Sequence, residues 1–312
     1  MESVIVAVGS LNMDLVAQVP QLPQRGQTIA GYEFQMLPGG KGANQAFAVG
    51  RLGGQARMIG RVGDDAFGER LRSSLSSAGV DVSGVMSTPG QSTGVALILV
   101  ETGGQNQIVV AAGANGKLSS DDVHAELQRA PGRYLLLQLE SPLDAVEAAA
   151  RRGRLCGMSV ILDPAPAMPL SSSLLGNIDV LTPNESEALI LLADRGDHIP
   201  LDQAPAVCTR LLNLGPSCII LKMGERGVWL AERRQSRHFP APRVEALDTT
   251  AAGDTFNGAL VTALAEGKPL ENAVGFANCA AALSVTRLGA QASVPSRQEV
   301  EEMSGASSLA IG

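Results

Sequence analysis

The chain has 312 residues, of which 45% are hydrophobic and 3% aromatic, and a formal net charge of -7. That length allows one large core or two medium ones, and the charge runs through the sequence without acidic or basic blocks, so no footprint for nucleic acid or an anionic membrane surface is present. No apolar run approaches the roughly 18 residues that a membrane-spanning helix needs, so the partners expected are small molecules.

In chain order, Val4 to Val8 reads as a buried strand that ends at Gly9-Ser10; it is too short for a signal-peptide core and has no basic flank, so export is not expected. Gln18 to Leu37 has no helical period and reads as half-exposed strands joined by turns. A helix is predicted over Gly42 to Leu52, a strand over Ala56 to Val62 and a helix over Gly68 to Ala78. Ser92 to Ala111, with the polar turn Thr102-Gly103-Gly104-Gln105-Asn106, again reads as exposed strands.

Strands are then predicted at Tyr134 to Leu139, Val160 to Asp163, Val180 to Thr182 and Cys218 to Lys222. Helices are predicted at Leu143 to Arg152, Glu185 to Ala193 and Ala206 to Leu214. Beyond residue 250, Ala-rich helices are predicted at Thr255 to Ala265 and Leu270 to Thr286, and the Ser/Gly/Ala stretch after Met303 is expected to fray.

This alternation implies an α/β fold: a mainly parallel central sheet with helices on both faces, in one domain spanning 1–312. The irregular regions, about 13–37 and 92–111, are expected to pair as a small β-sheet lid that excludes water from the site. Ligands in such folds sit beyond the carboxyl ends of the strands, so the polar residues there are the candidates.

The cysteines Cys156, Cys208, Cys218 and Cys279 form no CxxC pair, which fits a reducing cytoplasm, and His124, His198 and His238 lack metal-ligand spacing. GxxxxGK[ST] is absent, and Gly39-Gly40-Lys41-Gly42-Ala43-Asn44 lacks the third glycine of GxGxxG, which disfavours P-loop and dinucleotide enzymes. Alone, that glycine run is explained about as well by a turn into a helix.

The strongest local signal is Asp248-Thr249-Thr250-Ala251-Ala252-Gly253-Asp254-Thr255-Phe256-Asn257-Gly258. Small residues before an amphipathic helix leave backbone N–H groups free at its N-terminus, where they attract an anion. A carboxylate in the same turn, Asp254, either caps the helix or takes a proton from a hydroxyl beside a bound phosphoryl group.

Asp248 to Gly258 resembles the C-terminal signature of the ribokinase family of sugar kinases, and Gly39 to Ala46 resembles its N-terminal signature. Further similarity runs through Gly9-Ser10-Leu11-Asn12-Met13-Asp14, Gln138-Leu139-Glu140-Ser141-Pro142, Asp163-Pro164-Ala165-Pro166, Thr182-Pro183-Asn184-Glu185-Ser186-Glu187 and Gly289-Ala290-Gln291. Gly9 to Asp14, Gly39 to Ala46 and Gln138 to Pro142 resemble the forms these segments take in the ribose-phosphorylating members.

The resemblance implies ATP-dependent phosphorylation of the 5-hydroxyl of ribose, with Asp254 as base and Ala251, Ala252 and Gly253 forming the anion hole. Deoxyribose, fructose and 2-keto-3-deoxygluconate are related acceptors, and a sugar-binding regulator without catalysis is the alternative. Asn12, Asp14, Gly40, Lys41, Gly42, Asn44 and Glu140 would contact the sugar. Asn12 and Asp14 alone read as an Asx turn.

Asn184 and Glu187 would organise phosphate and Mg²⁺, and by spacing they also form a capping box. Lys222, Gly224, Gly227 and Asn278 would lie beside ATP, although Lys222 stands where ribose-phosphorylating members carry Thr. A K⁺ site is implied at Asp248, Thr250, Ser284, Arg287, Gly289 and Ser293, and a homodimer formed through the lid strands.

Overall fold

The computed structural model describes residues 3–103 and 105–309. The chain runs β1 (Ile5–Val8), β2 (Asn12–Val19), β3 (Glu33–Gly39), α1 (Lys41–Arg51), β4 (Ala56–Gly63), α2 (Ala66–Ser77), β5 (Asp81–Thr88), β6 (Gly94–Glu101) and β7 (Asn106–Ala111). Next come α3 (Ser120–Arg129), β8 (Tyr134–Leu137), α4 (Leu143–Leu155), β9 (Ser159–Leu162), α5 (Ser172–Leu175), β10 (Val180–Leu181), α6 (Glu185–Leu191), α7 (Ala204–Leu212) and β11 (Cys218–Lys222). The hairpin β12 (Val228–Glu232) and β13 (Gln235–Phe239) precedes α8 (Ala252–Ala265), α9 (Leu270–Ser284) and α10 (Arg297–Leu309).

Nine strands form the large sheet in the order β13-β12-β11-β10-β9-β8-β1-β4-β5. Pairing is parallel from β11 to β5, and β12 and β13 add an antiparallel edge. Both faces are buried, which is why β1 is apolar throughout rather than alternating. Val6 and Val8 pack toward α3, α4 and α7, while Ile5 and Ala7 pack toward α1, α2 and α8. A third cluster joins α8 and α9 to β11 and β12.

The two irregular regions form a separate four-stranded sheet, β3-β2-β6-β7. β2 pairs in parallel with β6, while β3 and β7 flank them antiparallel. Both faces of this sheet carry exposed apolar side chains: by register Phe34, Leu97 and Val109 share one face and Ile108 and Val110 the other.

Several elements escape the periodicity reading. β5 is a polar, half-exposed strand, and β12-β13 is a hairpin turned by Arg233-Arg234, without the Gly or Asn that marks such turns. α3 did carry a legible start, the Ser119/Asp122 capping box. The expected fraying after Met303 is corrected as far as Leu309, where α10 ends; residues 310–312 lie outside the described residues, and Arg297 and Gln298 bond Glu301 and Glu302 one turn on in the first half of the helix.

One contact sets the site. α8 lies against α1 so closely that a Cβ at Gly258 would come 2.5 Å from Ala48 Cβ and 2.9 Å from the Gln45 carbonyl. That approach brings the N-terminal turns of both helices together above the sheet.

Candidate active site

A cleft of about 1030 Å³ opens over the carboxyl ends of β9, β10 and β11, lined by Lys41, Asp163, Asn184, Glu187, Lys222 and Asp254 among others. Its floor is the turn into α8. Ala251 there is left-handed, φ 57°, a conformation that costs a non-glycine residue free energy and is held by its surroundings. The N–H groups of Ala251, Gly253 and Asp254 find no acceptor among the described residues, while Ala252 N reaches Thr249 O at 3.3 Å. A helix N-terminus with free donors facing a cleft is an anion site.

Asp254 lies within this turn, 4% exposed. Asn44 Nδ2 donates to its Oδ2 at 3.0 Å and Gln45 Nε2 to its Oδ1 at 3.0 Å. Burial pushes its pKa up to about 6, against the pull of Lys41 and the two amide donors and with a further push from Asp163. A carboxyl so tuned is ionised at neutral pH and basic enough to accept a proton.

Gly40 and Gly42 owe their identity to packing. Gly40 caps α1 at φ +89°, and a Cβ there would sit 2.6 Å from Asn12 N; one at Gly42 would sit 2.7 Å from Gly9. Glu140 Oε2 accepts from Ser10 Oγ at 2.5 Å and Lys41 N at 3.0 Å, so it fastens the same turns. Asn12 Oδ1 accepts from Asn115 Nδ2 at 2.8 Å, and the Asn12 amide hydrogens have no acceptor among the described residues. Asp14 accepts no hydrogen bond from a described residue, and burial, then Glu140 and Asp254, pushes it up to about 7.

Lys41 makes no direct ion pair among the described residues, yet Asp254, Asp163, Glu140 and Glu187 outweigh the cost of its burial and hold the ammonium charged. Asn12, Asp14, Lys41, Asn44, Glu140 and Asp254 are thus brought into one region.

On the other side, Asn184 Oδ1 accepts from Glu187 N at 2.8 Å, and both Glu187 oxygens accept from Asn184. The capping box is formed, and burial pushes the Glu187 carboxyl up while Lys222 opposes it. Lys222 Nζ reaches Asp163 Oδ1 at 2.8 Å and would lie 3.1 Å from a Cβ at Gly253. Gly224 and Gly227, at φ 57° and 89°, turn the chain at the cleft wall. Asn278 Nδ2 holds the Pro240 carbonyl at 2.8 Å across that wall.

The segments expected to hold a monovalent ion are also adjacent. Leu247 N and Asp248 N both donate to Val285 O, and Asp248 accepts from Thr250 N at 2.9 Å and Gly289 N at 2.8 Å. Ser284 and Ser293 are buried, with hydroxyls donating to Ala281 O and Ala290 O. The Arg287 guanidinium turns away to Glu299. Among the described residues no cluster of His, Cys, Asp or Glu suits a transition metal, so this corner offers one carboxylate with carbonyl and hydroxyl oxygens, a donor set for a hard cation.

Gln45, Asp163 and Gln138 lie inside the sequence motifs, yet nothing local to them signals a role. Gln45 donates to Asp163 Oδ2 at 3.1 Å as well as to Asp254, and accepts from Gln138 Nε2 at 2.7 Å. Asn115, which orients Asn12, lies in a 3₁₀ turn that no pattern marked.

A cleft lined by both basic and acidic side chains at the edge of a doubly covered parallel sheet, with an anion site and a buried carboxylate at one helix start, defines an α/β phosphotransferase for small molecules. The pattern of the pfkB family of carbohydrate kinases matches residues 2–297, and the chain belongs to that family. It is 41% identical to the ribokinase of Haemophilus influenzae over 97% of this chain and 98% of that one. It is 37% identical to a deoxyribokinase of Salmonella typhi over 96% and 97%. The Arabidopsis thaliana ribokinase solved with ribose and ATP superposes with a TM-score of 0.88 at 32% identity, covering 97% of this chain and 99% of that one. The protein is a carbohydrate kinase.

Proposed function

We propose that this kinase transfers the γ-phosphoryl group of ATP to the 5-hydroxyl of ribose, giving ribose 5-phosphate and ADP. The observation that carries the reading is the placement of Asp254 in the same turn as the unpaired N–H groups of Ala251 and Gly253. Full-length similarity to ribokinases, one of them solved with ribose and ATP, supports the acceptor.

Asn12, Asp14, Gly40, Lys41, Gly42, Asn44 and Glu140 hold and orient the sugar. The unused amide hydrogens of Asn12 and the unpaired carboxyl of Asp14 suit a polyol. ATP lies along the cleft past Asn184, Glu187, Lys222, Gly224, Gly227 and Asn278. Asp254 takes the hydroxyl proton as the sugar oxygen bonds to the γ-phosphorus and the bond from that phosphorus to the bridging oxygen breaks. The N–H groups of Ala251 to Asp254 meet the charge on the phosphoryl oxygens.

Mg²⁺ would neutralise the triphosphate, held near Asn184 and Glu187 through water because Asn184 itself occupies the Glu187 oxygens. K⁺ would be held by Asp248, by carbonyls of Thr250, Ser284, Arg287 and Gly289 and by the Ser293 hydroxyl, fixing the loop that feeds the anion hole. The β3-β2-β6-β7 sheet serves as lid, and its exposed Phe34, Ile108 and Val109 support pairing of two subunits through it. The free cysteines are consistent with a reducing cytoplasm.

The test is ADP release with ribose, deoxyribose, fructose and 2-keto-3-deoxygluconate, with and without K⁺, alongside Asp254→Asn. Ribose is expected to give the highest kcat/KM, and Asp254→Asn to lose about 10²-fold or more of kcat while still binding ATP. Turnover of another sugar without ribose would retire the acceptor, and an active Asp254→Asn would retire the base.

A further inference from the structure

Gln45 is fully buried, and each polar atom of its amide is committed. Nε2 donates to Asp254 Oδ1 at 3.0 Å and Asp163 Oδ2 at 3.1 Å; Oε1 accepts from Gln138 Nε2 at 2.7 Å. A flipped amide would set Oε1 against two carboxylates and its NH₂ against the Gln138 NH₂, so the orientation is fixed. The far oxygen of Asp163 accepts from Lys222 Nζ, and that ammonium lies against Gly253 of the anion site. A continuous chain, Lys222 to Asp163 to Gln45 to Asp254, therefore starts and ends on the same turn.

We propose that Gln45 is a positioning residue for phosphoryl transfer, fixing the Asp254 carboxylate and tying it to the Asp163–Lys222 pair so that base and anion hole keep one geometry. This rests on the reading of Asp254 as base. A cap alone would need Asp254 oriented toward its own helix. Instead the carboxylate is held from outside by amides of α1, one of which is shared with the cleft wall.

The charged groups that face Asp254 are Lys41 from α1, Asp163 from the end of β9, and Asp14 from β2, with Lys222 of β11 reaching it through Asp163. Loss of the Gln45 donor leaves the ionised carboxylate with less support against these acids, so its proton is held more tightly.

Gln45→Met keeps side-chain length and removes both donors. It is expected to lower kcat by about tenfold to a hundredfold with KM for sugar and ATP within about threefold, since misplacement of a reacting group falls on turnover. The acid limb of the kcat/KM profile is expected to move upward in pH. Should that variant not fold, Gln45→Glu, of nearly equal volume, decides by the same readouts, with kcat falling further because a third carboxyl joins the pair. Wild-type kcat and an unmoved acid limb in a folded variant, or a rise in KM alone, would overturn the proposal. Asp254→Asn measured alongside separates the cases: if it stays active the base reading has failed, and if it is inactive while Gln45→Met is wild type only the present inference has.

Discussion

Lys222 Nζ and Asp163 Oδ1 meet at 2.8 Å with side chains 14% and 3% exposed, an ion pair sunk into the cleft wall beside the start of α8. Removing one member of such a pair leaves the other charged in a poorly solvated place. Lys222→Met is expected to cost roughly 3–5 kcal/mol of stability, and adding Asp163→Asn to recover part of it. Urea midpoints of the two single variants and the double variant measure this, and additive losses would refute coupling.

Asp254 and Asp14 both have carboxyl pKa values raised by burial, from 3.8 to about 6 and about 7. The folded state binds these protons more tightly than the unfolded chain does. Their contribution to stability is therefore complete below about pH 4 and is lost as pH rises through 6 and 7. Asp14→Asn removes one such loss, so at pH 8 it should unfold at higher denaturant than the parent while its KM for sugar rises. An unchanged midpoint at pH 8 would contradict the burial argument. Turnover should fall on acidification through about pH 6 as Asp254 takes up its proton.

Gly40 stands at φ +89° with the space for a Cβ filled by Asn12 N at 2.6 Å. Gly40→Ala must strain the backbone and push the turn that carries Asn12, at a cost of about 1–3 kcal/mol. Sugar KM is expected to rise more than ATP KM, because the displaced turn belongs to the sugar side. Equal effects on both would argue for general loosening.

β7 is exposed along its whole length, with Ile108, Val109 and Val110 each more than half exposed. Ile108→Lys together with Val110→Lys should leave a monomer by sedimentation if the lid sheets pair between subunits. A parent that sediments as a monomer at assay concentration would dispose of the pairing itself.

Much of the site was legible because its residues cluster in short segments where physical demands coincide. The turn from Ala251 to Asp254 needs small residues for free N–H groups, and Gly40 and Gly42 need no side chain at all. What stayed hidden was side-chain pairing across long separations. Nothing local distinguishes Gln45, 118 residues from Asp163 and 209 from Asp254, from any polar residue on a helix. Glu140 illustrates the converse: expected on the sugar, it also clamps Ser10 and Lys41.

The order of apolar and polar residues by itself determined the parallel sheet, the helices that cover it and the small separate sheet, since burial on two faces or one leaves a period in the sequence. It also marked the anion turn. Only the tertiary structure decided which carboxylates lie close enough to raise one another's pKa and which amide joins them. Those facts arise from helices α1 and α8 meeting where Gly258 lets them touch, and electrostatic coupling depends on distance through space rather than along the chain.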